Sequence, residues 1–90
     1  MEHVNLGRSG LRVSRLCLGT MIFGAQRSEE DSRPILDRAA DLGFSFIDVS
    51  DVYPVPPSPQ TWGLTEEIVG RWLEGKRNRF VVATKCVNRV

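Results

Sequence analysis

The residues of this sequence that could carry out chemistry stand at the ends of apolar runs. An apolar run that begins at Phe44 ends in Asp48, and Tyr53 follows five residues later. A second run, residues 80–83, is followed after one threonine by Lys85. Ionisable groups are costly inside a buried sheet, and parallel strands all end on the same side. We therefore expect Asp48, Tyr53 and Lys85 to converge at one edge.

A carboxylate, a phenol and an ammonium placed together suit proton transfer to a carbonyl group. An ammonium beside a phenol favours the phenolate and lowers the phenol's pKa from about 10 towards neutral pH, while the carboxylate holds and balances the ammonium. A tyrosine tuned in this way can give a proton to a carbonyl oxygen as hydride arrives, or take one in the reverse reaction. The same spacing also permits a structural interpretation, in which Asp48 and Lys85 form an ion pair and Tyr53 packs a loop.

The elements that must position these residues alternate between strands and helices. Short alternating segments on either side of Gly7-Arg8-Ser9-Gly10 predict an antiparallel hairpin. Three apolar runs predict strands, and two segments with apolar residues at helical spacing predict the helices between them. The predicted ranges are 3–6 and 11–13 for the hairpin, 16–18, 44–47 and 80–83 for the strands, and 29–42 and 65–74 for the helices. Strands that alternate with helices indicate βαβ units, and therefore an α/β fold with a parallel sheet.

The starts of the two helices depend on residues that cap helix N-termini. Ser28 opens a Ser-Glu-Glu-Asp sequence that is typical of a capping box. Pro34 lies six residues beyond Ser28, which is deep in a helix for a proline, so Ser32 fits better as the cap of the first helix. Thr65 precedes two glutamates and is predicted to cap the second helix.

Composition and charge limit the classes of protein that fit the chain. Ninety residues are enough for one domain, and 41% apolar with 26% charged residues is ordinary for a globular protein. Twelve basic residues against eleven acidic ones give a net charge of +1, which provides no reason to expect nucleic acid or a membrane surface as a partner. No signal peptide or transmembrane run is recognisable, so we expect a cytoplasmic protein. No metal site is expected.

Several other residues are predicted to be structural. Cys17 and Cys86 lie in or beside apolar runs, so we predict reduced, buried, hydrophobic side chains rather than a disulfide or a catalytic role. His3, the single histidine, is assigned a solvated or structural role instead of that of a general base. The loop 54–63 holds four of the five prolines, which exclude strand and helix there and indicate a functional loop or a linker.

Five motifs together resemble the N-terminal part of an aldo-keto reductase. They are Leu-Gly-Arg-Ser-Gly-Leu-Arg-Val-Ser at 6–14, Leu-Gly-Thr-Met-Ile-Phe-Gly at 18–24, Gly-Phe-Ser-Phe-Ile-Asp-Val-Ser-Asp-Val-Tyr at 43–53, Thr-Glu-Glu-Ile-Val-Gly-Arg-Trp-Leu at 65–73 and Phe-Val-Val-Ala-Thr-Lys at 80–85. The resemblance covers nearly all of the chain in the family's order. The segment from the tyrosine to the second helix is similar to a bacterial branch of NADP(H)-dependent members.

The resemblance implies both a fold and a reaction. The implied fold is a (β/α)8 TIM barrel preceded by a hairpin at its bottom, and the implied reaction is the NADPH-dependent reduction of an aldehyde or ketone to an alcohol. Matched position by position, Tyr53 would be the general acid and base. Lys85 would be the ammonium that favours its phenolate form, and Asp48 the partner of that lysine.

The resemblance also implies where the cofactor binds. Gly19, Thr20 and Met21 match a strand-end segment that contacts the nicotinamide side of NADP(H), and Asp48 would neighbour the nicotinamide ribose. A glycine at a strand end agrees with this, because it allows a ligand to come close. One departure from the family is Asp48-Val49-Ser50, where members often read Asp-Thr-Ala; this change is expected to alter the hydrogen bonding of the acid.

The ninety residues account for only the first part of such a barrel. A complete barrel needs about 200 to 250 residues or more, whereas this chain offers three barrel strands and two helices. The family's catalytic histidine on the following strand has no counterpart in residues 1–90. We therefore expect a partial aldo-keto reductase domain, 1–90, that is inactive alone and prone to self-association through its open sheet. A non-catalytic protein that binds a partner through the open sheet edge is the alternative.

Overall fold

The computed structural model describes residues 1–86, which form two small sheets and two α-helices. In chain order the elements are β1 His3–Asn5, β2 Arg12–Ser14, β3 Leu18–Gly19, α1 Glu29–Asp41, β4 Phe46–Asp48, α2 Leu64–Trp72, a 3-10 turn Arg77–Arg79 and β5 Val81–Ala83. Within this range, no helix has the length and apolar character needed to cross a membrane.

The central sheet is parallel and has the strand order β3-β4-β5. Its pairing aligns Leu18, Ile47 and Val82 in one row and Gly19, Asp48 and Ala83 in the next. Because successive residues of a strand face opposite sides, these two rows project from opposite faces of the sheet. The predicted α/β fold with three parallel strands in chain order is confirmed, and the sheet is open in the described residues.

The outer face of the sheet packs on the two helices. Ile47 and Val49 of the central strand are 1% and 2% exposed, and they belong to one apolar cluster with Leu36 of α1 and Ile68 of α2. The opposite face lacks such a cover, since Phe46 and Ala83 are only half-buried. The main apolar cluster therefore lies between the sheet and the helices, as the apolar spacing of the helices predicts, while Val13 of the hairpin is buried outside it.

Two polar contacts join the helices to each other. The indole Nε1 of Trp72 donates to Asp37 Oδ1 at 2.8 Å, while its ring meets Phe80 edge to face at 5.1 Å. At the beginning of α1, the Glu29 carboxylate accepts two hydrogen bonds from Arg71, at 2.8 and 2.9 Å. Arg71 lies in the last turn of α2, so this bidentate pair holds the end of α2 against the beginning of α1.

The N-caps of both helices differ from the prediction, although α1 begins at Glu29, as the predicted range 29–42 has it. Ser28, and not Ser32, caps α1, because its Oγ accepts from the backbone N–H of Asp31 at 3.1 Å. Ser32 is fully buried inside the helix and donates to the Ser28 carbonyl at 2.7 Å. Pro34 is tolerated within α1 because it is exposed, and the Glu30 carbonyl that it leaves without a helical donor can bind water.

The second helix begins one residue before Thr65 and has no side-chain cap. Its N-cap is Gly63 with φ of +84°, a left-handed conformation that glycine adopts easily. The predicted capping role of Thr65 is wrong, because its hydroxyl points away from the helix end and donates to the Phe23 carbonyl at 2.6 Å. The sequence pattern predicted the position of the helix correctly but not the role of Thr65.

The N-terminal hairpin docks against the amino ends of the parallel strands. The predicted antiparallel hairpin is present, and in it β1 pairs with β2 with His3 opposite Ser14. Ser14 and Ser45 then form a reciprocal pair: each backbone N–H donates to the hydroxyl of the other serine, at 3.0 and 2.9 Å. Since Ser45 immediately precedes β4, the hairpin covers the end of the sheet that lies opposite Asp48.

The prediction of buried cysteines is wrong, although both thiols are free as expected. Cys17 and Cys86 are exposed. Cys17 precedes Leu18, whose side chain packs on the apolar cluster, so the alternation of a strand directs Cys17 to the uncovered face. Cys86 lies three residues beyond the end of β5. Apolar neighbours in the sequence therefore did not imply burial at either position.

Candidate active site

Two charged side chains meet where β4 and β5 end. Lys85 Nζ donates to both carboxylate oxygens of Asp48, at 3.0 and 3.1 Å. The parallel register explains the contact: Asp48 is opposite Ala83, and Lys85 follows two residues later on the same face. Both side chains remain in contact with solvent, with 36% of Asp48 and 43% of Lys85 exposed.

The same ammonium reaches two further oxygens. Lys85 Nζ donates to the Val49 carbonyl at 2.7 Å and to the Tyr53 hydroxyl at 3.4 Å. It also lies 4.8 Å from the centroid of the Tyr53 ring. The structure thus brings together the three residues that the sequence analysis assigned to catalysis, with the lysine amine between the carboxylate and the phenol. Their catalytic roles stay predictions.

This environment raises the pKa of Lys85 above its ordinary value of 10.5. Partial desolvation is the largest single influence and lowers the pKa of the amine. The hydrogen bonds to Asp48 and Tyr53, together with attraction to both groups, outweigh desolvation and raise it. Lys85 is therefore held in its charged form at neutral pH, as an ammonium that directs a positive charge towards the phenol.

A tight turn places Tyr53 within reach of the lysine. The Tyr53 N–H donates to the Ser50 carbonyl at 3.2 Å, and the Val52 N–H approaches the Ser50 hydroxyl at 3.4 Å. Ser50 is fully buried, so the turn is fixed to the fold at its first residue. Beyond the turn, the Val55 N–H donates to the Met21 carbonyl at 2.9 Å and joins the loop after β4 to the loop after β3.

The residues predicted to contact a cofactor line a cavity beside this cluster. The cavity has a volume of about 450 Å³, within the usual range of small-molecule sites. Its lining residues are Gly19, Thr20, Met21, Ile22, Asp48 and Tyr53. The predicted cofactor segment and two of the predicted catalytic residues therefore share one cavity at the carboxyl ends of the strands.

The three residues of the cofactor segment take different positions in that cavity. Thr20 is fully buried and its hydroxyl donates to the Asp48 carbonyl at 2.7 Å, which fixes the backbone of the acid. Met21 is 51% exposed, and no atom lies within 4 Å of the position that a side chain at Gly19 would take. A flat ring could approach the Gly19 backbone freely, so the residues present fit one end of a nicotinamide cofactor.

Two features of the site have no counterpart in the sequence analysis. One is the Val49 carbonyl, which accepts the shortest hydrogen bond of Lys85. Backbone carbonyls leave no trace in a sequence, so no signal could have identified it. The other is Thr65, which was interpreted as a helix cap although its hydroxyl and N–H contact Phe23 and Tyr53. The glycine two residues before Thr65 was the available signal that another residue could occupy the cap.

Several known proteins are similar to this chain in sequence. Residues 15–90 match the model of the Aldo/keto reductase family. The chain is 48% identical over 87 residues to Protein tas of Escherichia coli K12, covering 94% of the chain and 25% of that protein. It is 47% identical over 88 residues to the uncharacterized oxidoreductase YrpG of Bacillus subtilis, covering 94% of the chain and 26% of the relative.

Solved structures give the same result in three dimensions. The holo form of the aldo-keto reductase AKR11C1 from Bacillus halodurans superimposes with a TM-score of 0.83 at 38% identity, covering all of this chain and 27% of that one. A putative aldo-keto reductase from Pseudomonas aeruginosa gives a TM-score of 0.77 at 35% identity over 93% of this chain and 30% of its own. The chain thus spans about a quarter of the length of the curated relatives it matches.

Proposed function

The chain belongs to the aldo/keto reductase family of oxidoreductases, and from this premise we propose that it is the N-terminal part of a cytoplasmic NADP(H)-dependent enzyme. That enzyme reduces an aldehyde or ketone to the alcohol by hydride transfer. In our proposal Tyr53 is the proton donor, Lys85 the charge that supports it, and Asp48 the acid that holds Lys85.

The observation that carries this proposal is the position of Lys85 Nζ, 3.0 Å from Asp48 and 3.4 Å from the Tyr53 hydroxyl. When the Tyr53 hydroxyl gives its proton to a carbonyl oxygen, negative charge develops on the phenol oxygen. The adjacent ammonium stabilises that charge, and the hydrogen bonds to Asp48 keep the ammonium in place. In alcohol oxidation the same oxygen takes the proton back.

The cavity beside the cluster supports the assignment of the cofactor. NADP(H), when bound, supplies the hydride, and Gly19, Thr20, Met21 and Asp48 would contact its nicotinamide end. Thr20 orients the backbone of Asp48, and the open space at Gly19 admits a flat ring. The Bacillus halodurans relative, of which this chain covers 27%, is a holo form.

Residues 1–90 alone are proposed to be inactive. Hydride transfer needs the reacting atoms held about 3 to 3.5 Å apart, and contacts at one end of a long dinucleotide do not impose such geometry. The lining described here comes from two strand ends and their loops. A longer polypeptide must therefore provide the remaining contacts to the cofactor and the substrate pocket.

The test is to complete the barrel and then remove the phenol. Residues 1–90 are fused to the remaining three quarters of the Bacillus halodurans relative, and aldehyde-dependent oxidation of NADPH is followed. We expect activity from the fusion and none from residues 1–90. Tyr53→Phe and Lys85→Met should each lower kcat/KM by about 100-fold or more, the usual scale of general acid catalysis.

Lys76→Met is the matched control, because it makes the same change at the second lysine, which stacks on Trp72 at 4.2 Å instead of lining the site. It should leave kcat/KM within about twofold, since a surface cation is remote from the reaction. An active fusion that tolerates Tyr53→Phe would refute the proposed role of Tyr53. Aldehyde-dependent oxidation of NADPH by residues 1–90 alone would refute the proposed inactivity.

The open sheet favours a second role, in which the chain associates through its sheet edges. β3 and β5 each pair with one strand only in the described residues, and Phe46 and Ala83 on the uncovered face are half-buried. Unpaired edges and apolar surface of this kind promote association with another chain. Sedimentation of the 90-residue chain should show concentration-dependent oligomers. A dilute, strictly monomeric sample that unfolds in one sharp transition would contradict this role.

A further inference from the structure

The first turn of α2 is joined to two of the loops that form the site. Thr65 is fully buried, and its hydroxyl donates to the Phe23 carbonyl at 2.6 Å. Its backbone N–H points to the Tyr53 carbonyl at 3.4 Å. Phe23 belongs to the loop after β3 and Tyr53 to the loop after β4. A single residue therefore connects both loops, across 42 positions of sequence in the case of Phe23.

Tyr53 depends on such contacts because its loop is irregular. Residues 54–63, which follow it, contain no helix or strand. The main chain around Tyr53 is held by a few hydrogen bonds, to Ser50, Met21 and Thr65 and, from the Asp51 N–H at 3.4 Å, to the Lys85 carbonyl. The contact between Tyr53 and Lys85 is itself long, at 3.4 Å, and hydrogen bonds weaken rapidly beyond about 3.2 Å. A small displacement of the Tyr53 backbone is therefore enough to break it.

We propose that Thr65 is a positioning residue, whose buried hydroxyl fixes Tyr53 against Lys85. The inference rests on the proposed function, because it matters for catalysis only if Tyr53 is the proton donor. The hydroxyl is not required to start the helix, since Gly63 provides the N-cap. Its bond to Phe23 instead fixes α2 against the loop after β3, while the N–H of the same residue faces the Tyr53 carbonyl.

The consequence of losing the hydroxyl follows from its burial. Valine has almost the shape of threonine, so Thr65→Val keeps the packing but leaves the buried Phe23 carbonyl without its donor. A buried carbonyl in this state is unfavourable, and the loop relaxes until the oxygen meets water or another donor. That movement carries the start of α2 away and releases the Tyr53 carbonyl. Thr65→Ser keeps the donor and should keep the geometry.

The composition of the chain makes this displacement measurable without an activity assay. Tyr53 is the only tyrosine, and Lys76 and Lys85 are the only lysines. The 90-residue chain is labelled with ¹³C-tyrosine and ¹³C-lysine and kept below the concentration at which sedimentation shows oligomers. A nuclear Overhauser effect between the tyrosine ring and a lysine side chain then reports the contact directly. Lys85→Met identifies the signal, because that variant must lose it.

The expected change follows from the 4.8 Å between Lys85 Nζ and the Tyr53 ring centroid. The signal falls with the inverse sixth power of distance. Misplacement by about 1 Å, the size that disables catalytic geometry, therefore weakens it about threefold. We expect that loss in Thr65→Val and a retained signal in Thr65→Ser.

Ser32→Ala is the control, since Ser32 also buries a hydroxyl that donates to a carbonyl, at 2.7 Å, but within α1. It should lower the Tm of the chain, as loss of a buried hydrogen bond does, and leave the signal unchanged.

Two results would overturn the inference. One is a folded Thr65→Val chain with an undiminished signal, and the other is an equal loss of signal in Ser32→Ala, which would make the contact a measure of general stability. Should Thr65→Val fail to fold, Thr65→Cys applies the same test with a weak donor and most of the volume. Failure of the proposed function is distinct: Tyr53→Phe would then be harmless in the completed enzyme, whatever the signal shows.

Discussion

Replacement of Asp48 by asparagine tests the electrostatics of the site through the state of Lys85. The carboxylate accepts two hydrogen bonds from Nζ, at 3.0 and 3.1 Å, and its charge is one of the causes of the raised pKa of Lys85. Asparagine keeps one acceptor oxygen and removes the charge. Desolvation, the largest influence on this amine, is then opposed mainly by Tyr53. The pKa of Lys85 should fall in Asp48→Asn.

The effect on stability should be small. The two side chains are 36% and 43% exposed, so solvent screens their attraction, and such pairs contribute about 0.2 to 1 kcal/mol. In a domain of this size about 1 kcal/mol corresponds to roughly 4 to 8 °C in Tm. The pKa of folded Lys85 lies above 10.5, so this contribution is complete below pH 10.5 and is lost as pH rises through the folded value. The difference in Tm should therefore be constant around neutral pH and vanish in strong alkali.

The assay is an NMR titration of ¹³C-labelled lysine, in which only two side chains give signals. Asp41→Asn is the matched control, because it neutralises an exposed aspartate at the end of α1, near the amino ends of the strands. The titration of Lys85 should be unchanged in that control. An unchanged titration of Lys85 in Asp48→Asn would refute our account of the ammonium, as would a loss of several kcal/mol.

Two further predictions concern the scaffold that holds the site. The pKa of Glu29 is lowered below 4.5, first by the hydrogen bonds from Arg71 and then by its charge. The pair therefore stabilises the fold above pH 4.5, and this stabilisation is lost as pH falls through the lowered pKa. Glu29→Gln should lower Tm at neutral pH and leave it unchanged in strong acid. An equal loss of Tm at both pH values would contradict the stabilising role of the Glu29–Arg71 pair. Gly24 has φ of +105°, and a side chain there would lie 2.9 Å from Leu64 Cδ2, so Gly24→Ala should cost about 1 to 3 kcal/mol in urea unfolding. Unchanged stability of that variant would show that the loop after β3 adjusts freely.

Much of the fold could be predicted because its signals are local. The apolar runs at 16–18, 44–47 and 80–83 identified three strands, although each observed strand begins one or two residues later. The second of these starts late because the Ser45 N–H donates to Ser14 and the Phe44 N–H to a carbonyl of α1. Such long-range contacts compete with strand pairing and leave no local pattern.

The candidate site likewise has residues that local signals predict and a residue whose position depends on long-range contacts. Asp48 and Lys85 could be placed together because both follow parallel strands, and the direction of those strands fixes which edge they share. Tyr53 lies five residues past its strand, and a turn at Ser50 and a bond from Thr65 determine where it stands. No sequence pattern relates Thr65 to the loop after β3. The sequence therefore indicated Tyr53 as a candidate by its residue type, whereas the position of its side chain depends on tertiary contacts.

The docking of the hairpin has a consequence for how a growing polypeptide completes this fold. Ser14 and Ser45 attach the hairpin to the end of the sheet, and neither β1 nor β2 pairs with an edge of β3 or β5. Both edges thus stay available for new strands while the hairpin remains in place. In any longer chain that carries this segment, the hairpin is synthesised before the strands that follow it. Later strands can then pair with β3 or β5 without displacing the hairpin. Closure of the barrel therefore does not depend on when the hairpin docks.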